Sequence, residues 1–274
     1  MVKKVKSIII SGNGTNCEME MAHALRLAGS DVVDIVHISK LLYGEVSLDD
    51  YHFLNLAGGF LDGDDLGAAK AGANRIKYAK VKNTGERLQD QILRFIKQGK
   101  LIIGVCNGFQ LMVKLGILPG LDGDYLNQKV TLTFNDSAKF EDRWVTLKIN
   151  EHSPCIFLNG LNKLELPVRH GEGKFITKDE KTMERIKRKN LIAVQYIDIE
   201  SGKPTQSYPY NPNGSIEAVA GICDETGHLF GLMPHPEAYL HYTNHPLWTR
   251  KKLPKEGEGI KIFRNGIKFI RKYL

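Results

Sequence analysis

Paired cysteines are missing from this chain. Its 274 residues hold four, Cys17, Cys106, Cys155 and Cys223, and no two stand in a C-x-x-C pair. That spacing fits neither a disulfide framework nor a recurring zinc motif; it fits reduced thiols in a cytosol. Long apolar runs are missing too, and none approaches the roughly 20 residues that cross a bilayer. The basic opening "MVKKVKSIII" has only Ile8 to Ile10 before Ser11. That is too short for the apolar part of a signal peptide, so the reading is a buried strand in a cytoplasmic protein with no membrane contact. There is no G-x-x-x-x-G-K-[ST] phosphate loop. "SGNGTN" follows an apolar run and contains G-x-G, but Cys17 stands where a third glycine would be, which argues against a dinucleotide site. Nothing visible in the chain would activate a substrate with ATP. Repeats, low-complexity tracts and interdomain linkers are also lacking, so residues 1–274 read as one domain.

What is present is the composition of an ordinary globular protein, 42% hydrophobic and 25% charged, in a chain long enough to bury a substantial core. The net charge of +7 raises the question of nucleic acid. The excess sits mainly in the C-terminal segment "RKKLPKEGEGIKIFRNGIKFIRKYL", where Ile260, Phe263, Ile267 and Ile270 recur at helical spacing. Lys261, Arg264, Lys268 and Arg271 adjoin them. A helix over about 258–274, docked by its apolar stripe with a solvated basic face, accounts for this better than a dedicated acidic-partner site. No recognition motif for nucleic acid accompanies the charge.

The first half of the chain alternates strand and helix patterns. "VKSIII", "DVVDIVHI", "YHFLNLAGG" and "KLIIGV" read as strands. "CEMEMAHALRLAG" reads as a helix with Asn16 as N-cap and Gly29 as its stop, followed later by "ERLQDQILRFIKQG" and "NGFQLMVKLG". A polar segment near 61–85 shows no element. After residue 125 come short strand candidates, "KVTLTF", "RWVTLKI", "CIFL", "LIAVQYID", "SIEAVAGICD" and "HLFGLM", which suit hairpins. The expected fold is α/β: a mostly parallel, doubly wound, flavodoxin-like sheet with added antiparallel strands.

"IIGVCNGFQ" places Cys106 where a strand turns into a helix, with Gly104 and Gly108 two residues to either side. This has the architecture of a G-x-S-x-G nucleophile elbow with sulfur in place of oxygen. The helix N-terminus supplies positive potential that favours a thiolate. A buried strand-end cysteine is the plain alternative. In "LFGLMPHPEAY" an apolar strand is followed by His235 held between two prolines, and in extended geometry Glu237 would point to the same side and orient the imidazole. His241 and His245 in "HYTNH" match no common zinc spacing with His235 and read as surface loop; no metal site is expected.

Cys106 in "GVCNGFQ" with His235 and Glu237 in "MPHPE" resembles the triad of class I glutamine amidotransferases. "GNGTNCEMEMAHALRLAG", "LAGGFLDGDDLGAAKAGANRI", "FEDRWV", "RHGEGKF", "YNPNGS" and "GLMPHPEAY" are similar, in order from residue 12 to 239, to the branch that forms glutaminase subunits of phosphoribosylformylglycinamidine synthases. Ala238 departs from that pattern, in which arginine often stands, and the segments near 77–85 and 198–210 look long. The resemblance implies the class I amidotransferase fold and hydrolysis of L-glutamine through a glutamyl thioester. It implies an oxyanion hole from the backbone of Asn107 and of Gly59 or Phe60, with Gly58 and Gln110 on the substrate side. It also implies no cofactor in this chain. ATP and Mg would belong to a partner synthetase subunit that uses the ammonia for purine synthesis, with a small third subunit beside it. "GDDLGA" and "FEDRWV", with Arg143-Trp144, are candidates for that contact. The rival readings are a stand-alone cysteine hydrolase or γ-glutamyl peptidase of the same fold, and a non-catalytic redox-sensing protein.

Overall fold

A computed structural model describes residues 4–274, so the first residues of the basic opening lie outside the described part. Eleven strands occur among these residues: β1 Lys6–Ser11, β2 Val32–His37, β3 Phe53–Leu56, β4 Leu101–Val105, β5 Val130–Thr133, β6 Glu141–Ile149, β7 Lys163–His170, β8 Lys174–Thr177, β9 Ile192–Tyr196, β10 Val219–Cys223 and β11 Leu229–Leu232. Seven helices accompany them: α1 Glu18–Ala28, α2 Ile38–Tyr43, α3 Lys70–Tyr78, α4 Leu88–Lys97, α5 Asn107–Leu115, α6 Glu180–Arg188 and α7 Ile260–Tyr273.

Nine strands form one sheet in the order β2-β1-β3-β4-β11-β10-β9-β6-β7, while β5 and β8 pair separately. The first five are mutually parallel, and β10, β9, β6 and β7 continue antiparallel. β3, β4 and β11 are buried along their whole lengths, as parallel strands covered on both faces must be. α1 packs on α7, whereas α3 packs on α4 and α5. The stripe Ile260, Phe263, Ile267 and Ile270 of α7 is buried as its spacing predicts. No helix among the described residues is long and apolar enough to cross a membrane.

Several local expectations are corrected. Cys17, not Asn16, occupies the N-cap of α1, and its side chain makes no capping bond; Glu18 and Glu20 in the first turn favour the helix electrostatically instead. "CIFL" is a 3-10 turn. β11 is not only a hairpin partner of β10, because it also runs parallel beside β4. The polar segment near 61–85 contains α3, hidden because only Gly72, Ala73 and Ile76 of it are buried. α6 was missed because it is mostly charged and buries only Thr182, Met183 and Ile186. β7 contains Pro167, which reads as a strand breaker but is tolerated because β7 is the last strand of the sheet.

Candidate active site

Four adjacent parallel strands, β1, β3, β4 and β11, end on the same edge, and the chain leaving each one enters a single crevice. This is where open α/β sheets hold ligands. From β4 comes Cys106, at φ 52 and ψ −107, a left-handed conformation rare for a side chain with a Cβ. Strain of about 1–3 kcal/mol is typical of such a position, and it persists where the surroundings determine it. They do so here. A Cβ on Gly104 would lie 2.6 Å from the Gly108 carbonyl group, and one on Gly108 would run into the Leu56 carbonyl. The Cys106 N–H donates to the Leu232 carbonyl at 2.8 Å, locking the elbow to β11. Its Sγ lies 3.6 Å from the Arg169 carbonyl oxygen and lines the crevice.

From β11 comes His235, fully buried, with Nδ1 at 2.6 Å from Oε1 of the equally buried Glu237. His235 itself is extended, but Pro236–Ala238 forms a 3-10 turn. Glu237 therefore reaches the ring by folding back beneath it, not by sharing one side of an extended strand. The His235 N–H donates to the Pro167 carbonyl at 2.8 Å, so β7, last in the sheet order, curls back over the site. Nδ1 carries the proton shared with the carboxylate; Nε2 is buried and has no hydrogen-bond partner of ordinary geometry. Burial alone would depress the basicity of this ring. The Glu237 carboxylate, then the Cys106 sulfur, and then polar contact with the Cys106 and Cys17 thiols outweigh it and hold the ring well above an ordinary histidine.

Cys106 and His235 share a cavity of about 360 Å³ with Cys17, Gln110, Arg169 and Glu172. Gln110 is buried on α5, donating to the Glu172 carbonyl at 2.5 Å and accepting from Asn107 Nδ2 at 3.0 Å. Arg169 carries a buried Nη2 without a partner. Asp64 also lines the cavity, its carboxyl pushed up by burial and then by Glu172. Both Glu172 carboxylate oxygens accept from the Ala68 N–H at 3.1 Å. His170 lies here as well, buried and neutral, its pKa lowered to about 3 by burial and then by His235. The exposed rings of Phe60, Phe134 and Phe140 stand at the mouth.

The loop after β3 needs two corrections. The Phe60 N–H donates to the Gly14 carbonyl at 2.7 Å, so of the Gly59 and Phe60 amides the second is already engaged. Gly58 is not among the residues lining the cavity. It sits behind the site, where an added Cβ would lie 2.9 Å from His235 Cε1, 3.2 Å from Cys17 Sγ and 3.6 Å from Cys106 Cβ. Gly59 adopts φ +138, open to glycine and strained for other residues. The Asn107 side chain accepts from the Leu61 N–H at 3.0 Å, tying this loop to the start of α5.

Cys17, Asp64, Arg169, His170 and Glu172 were not anticipated as pocket residues, although "GNGTNC", "GDDLGA" and "RHGEGKF" carry them. The contact candidates fare differently. Asp64 of "GDDLGA" faces the cavity, while Arg143 bonds Glu141 and the Tyr208 hydroxyl at 2.5 and 2.6 Å. Trp144 packs against Tyr239 and His245, with ring centroids 5.1 and 4.8 Å away. His245 is buried, not a surface residue, and pairs with Glu165 at 2.9 Å.

Comparison with known proteins shows the family. A sequence model of the CobB/CobQ-like glutamine amidotransferase domain matches residues 4–270. Phosphoribosylformylglycinamidine synthase subunit PurQ of Dehalococcoides mccartyi is 43% identical over 270 residues, 98% of this chain and 99% of the relative. The protein of the same name from Methanococcus maripaludis is 40% identical over 283 residues, covering 99% of this chain and all of the relative. A chain in the structure of PurLQS from Thermotoga maritima superposes with a TM-score of 0.69 at 28% identity, covering 97% of this chain and 99% of that one. On a family match over nearly its whole length and relatives of equal extent, this chain belongs to the glutamine amidotransferases of the PurQ family, the subunit-PurQ proteins of phosphoribosylformylglycinamidine synthase.

Proposed function

We propose that Cys106 is the nucleophile, His235 the proton carrier and Glu237 its orienting carboxylate in the hydrolysis of L-glutamine. The observation that carries this reading is the buried 2.6 Å His235–Glu237 bond, which leaves Nε2 for the Cys106 sulfur that shares its crevice. The thiolate attacks the side-chain amide carbon. The C–N bond then breaks as Nε2 delivers a proton to the departing ammonia, leaving a glutamyl thioester. Water, deprotonated by the same nitrogen, attacks the thioester and releases glutamate. Glu237 stabilises the imidazolium that precedes the transfer to ammonia and follows the transfer from water.

We assign the developing oxyanion to the backbone N–H groups of Gly59 and Asn107. Losing one such donor costs about 3 kcal/mol of transition-state stabilisation. The strained elbow holds Asn107 at the helix start, and the Asn107–Leu61 bond holds the facing loop. A free amino acid carries both charges, and the cavity offers both complements. We assign its α-carboxylate to Arg169 and its α-ammonium to the Asp64 and Glu172 side, with Gln110 closing the pocket.

The ammonia serves an ATP-dependent synthetase subunit, and a small third subunit completes the complex. ATP and Mg are assigned to that partner. Family membership and the likeness to a chain of PurLQS support this division. Four free thiols support a reducing compartment, the cytoplasm. The test is Cys106→Ala in the assembled synthase. Glutamine-dependent synthesis should vanish while supplied ammonia is still used; equal loss of both contradicts the assignment. The isolated chain should hydrolyse glutamine only weakly until the synthetase is added, and full activity alone supports a stand-alone hydrolase instead.

A further inference from the structure

The mechanism above gives no task to His170, which is buried and lines the cavity of Cys106. A neighbour fixes its tautomer. Asn135 Nδ2 donates to the Lys139 and His170 carbonyls at 2.9 and 2.8 Å, which sets the orientation of that amide. Asn135 Oδ1 accepts the Gly173 N–H at 2.9 Å and lies 3.1 Å from His170 Nδ1. An amide oxygen only accepts, so Nδ1 carries the ring proton and Nε2 keeps a bare lone pair. Nε2 is buried and has no hydrogen-bond partner among the described residues. The Nδ1–Cε1 edge is turned to Asn135 and to Gly173, where an added Cβ would run into it. The remaining side of the ring, with Nε2, is left to the cavity.

A buried acceptor left unmet is costly and calls for a donor. His235 cannot supply one, since its Nδ1 is bound to Glu237 and its ring meets the Cys106 and Cys17 thiols. The Arg169 Nη2 donor makes no bond to it either. The donor must then come from the ligand, and it must suit a neutral acceptor, because burial keeps this imidazole uncharged. An α-ammonium is better matched by the Asp64 and Glu172 carboxylates of the same cavity.

We propose that His170 Nε2 accepts a hydrogen bond from the side-chain amide N–H of bound glutamine and so selects an amide over a carboxylate. The inference rests on the glutamine hydrolysis proposed above and deepens it. Glutamine brings amide N–H groups. Glutamate, the product, brings only lone pairs, which would face the lone pair of Nε2. A site that hydrogen-bonds a substrate N–H rejects the analogue lacking it, because the buried partner is then left unpaired. The same contact therefore favours the substrate and helps expel the product. His170 moves no proton; transfer to ammonia stays with His235.

The experiment compares natural chain and His170→Phe, which keeps a flat ring without the acceptor, in the assembled synthase. Three ligands are used: L-glutamine, the γ-methyl ester of L-glutamate, and a diazo-ketone glutamine analogue that alkylates the nucleophile. The last two lack the amide N–H. In His170→Phe, kcat/KM for glutamine should fall roughly tenfold, as for one buried neutral hydrogen bond. Ester hydrolysis and labelling of Cys106 should change by less than about twofold. Competitive inhibition by glutamate should tighten. An unchanged preference for glutamine over the ester, or an equal loss with all three ligands, overturns the proposal. A second measurement needs no change at His170. In Cys106→Ala at saturating glutamine, the nitrogen NMR resonance of His170 Nε2 should move, and glutamate should leave it in place; no movement with glutamine overturns the contact. If the natural synthase neither hydrolyses glutamine nor is labelled at Cys106, the glutaminase reading itself falls, and this proposal with it.

Discussion

One methyl group placed on Gly58 probes the reaction centre without touching a reacting atom. The Cβ of Gly58→Ala would lie 2.9 Å from His235 Cε1, where ordinary contact begins near 3.4 Å, so about half an ångström must be found. Gly58 is not among the glycines with positive φ, so the backbone accepts alanine and the perturbation is steric. The imidazole cannot give way freely. Its main chain is bonded to Pro167 at 2.8 Å and its Nδ1 to Glu237 at 2.6 Å, and the residue is fully buried. The overlap therefore turns the ring and moves Nε2. A displacement of 1 Å at a reaction centre costs on the order of 100-fold, so half of that predicts roughly a tenfold fall in kcat, about 1.4 kcal/mol of barrier. Overpacking of this kind also lowers stability by about 1–3 kcal/mol. The assays are steady-state glutamine hydrolysis in the assembled synthase and thermal unfolding of the isolated chain. Ammonia-dependent synthesis should be unchanged, and the KM for glutamine should move little because Gly58 does not line the cavity. A folded variant with the natural kcat would refute the reasoning, because His235 could not then lie against Gly58.

Glu237→Gln keeps the shape of the carboxylate but removes the charge that holds the His235 tautomer; kcat should fall on the order of 100- to 10,000-fold with KM nearly constant, and a change under threefold would contradict the orienting role. Acid stability should depend on His170. Burial, and then the nearby His235, lower its pKa from 6.5 to about 3. The unfolded chain binds the proton first, so stability is intact above 6.5 and is lost as pH falls from there toward 3. At about 1.4 kcal/mol per unit, this one group should cost roughly 2 kcal/mol at pH 5. Denaturant midpoints at pH 7.5 and pH 5 should separate less in His170→Gln, and an equal separation in the two proteins would contradict the buried neutral imidazole.

Local signals in the chain were enough to read the elbow. The change from the apolar run of β4 to the helical spacing of α5, flanked by Gly104 and Gly108, marks Cys106 because all the constraints act within a few residues. His235 and Glu237 were legible for the same reason, although the 3-10 turn at Pro236 replaced the extended geometry expected for them. The parallel sheet was legible in the alternation of strands and helices up to residue 115. By contrast, α3 and α6 were invisible, since each buries only three residues and is otherwise polar.

What the sequence by itself determined, then, was the alternation of strands and helices up to residue 115, and it singled out the three groups proposed to react, each carried by short-range pattern. Only the tertiary structure decided the pocket around them. Arg169 and His170 arrive because β7, last in the sheet order, folds back so that Pro167 bonds the His235 N–H. Cys17 arrives because the loop after β1 closes on the Gly58 carbonyl, which accepts from the Asn16 and Cys17 N–H groups at 3.1 and 3.2 Å. These contacts join residues some tens of positions apart. Hydrogen bonding and packing across the sheet edge select them, and no periodicity along the chain encodes such distances.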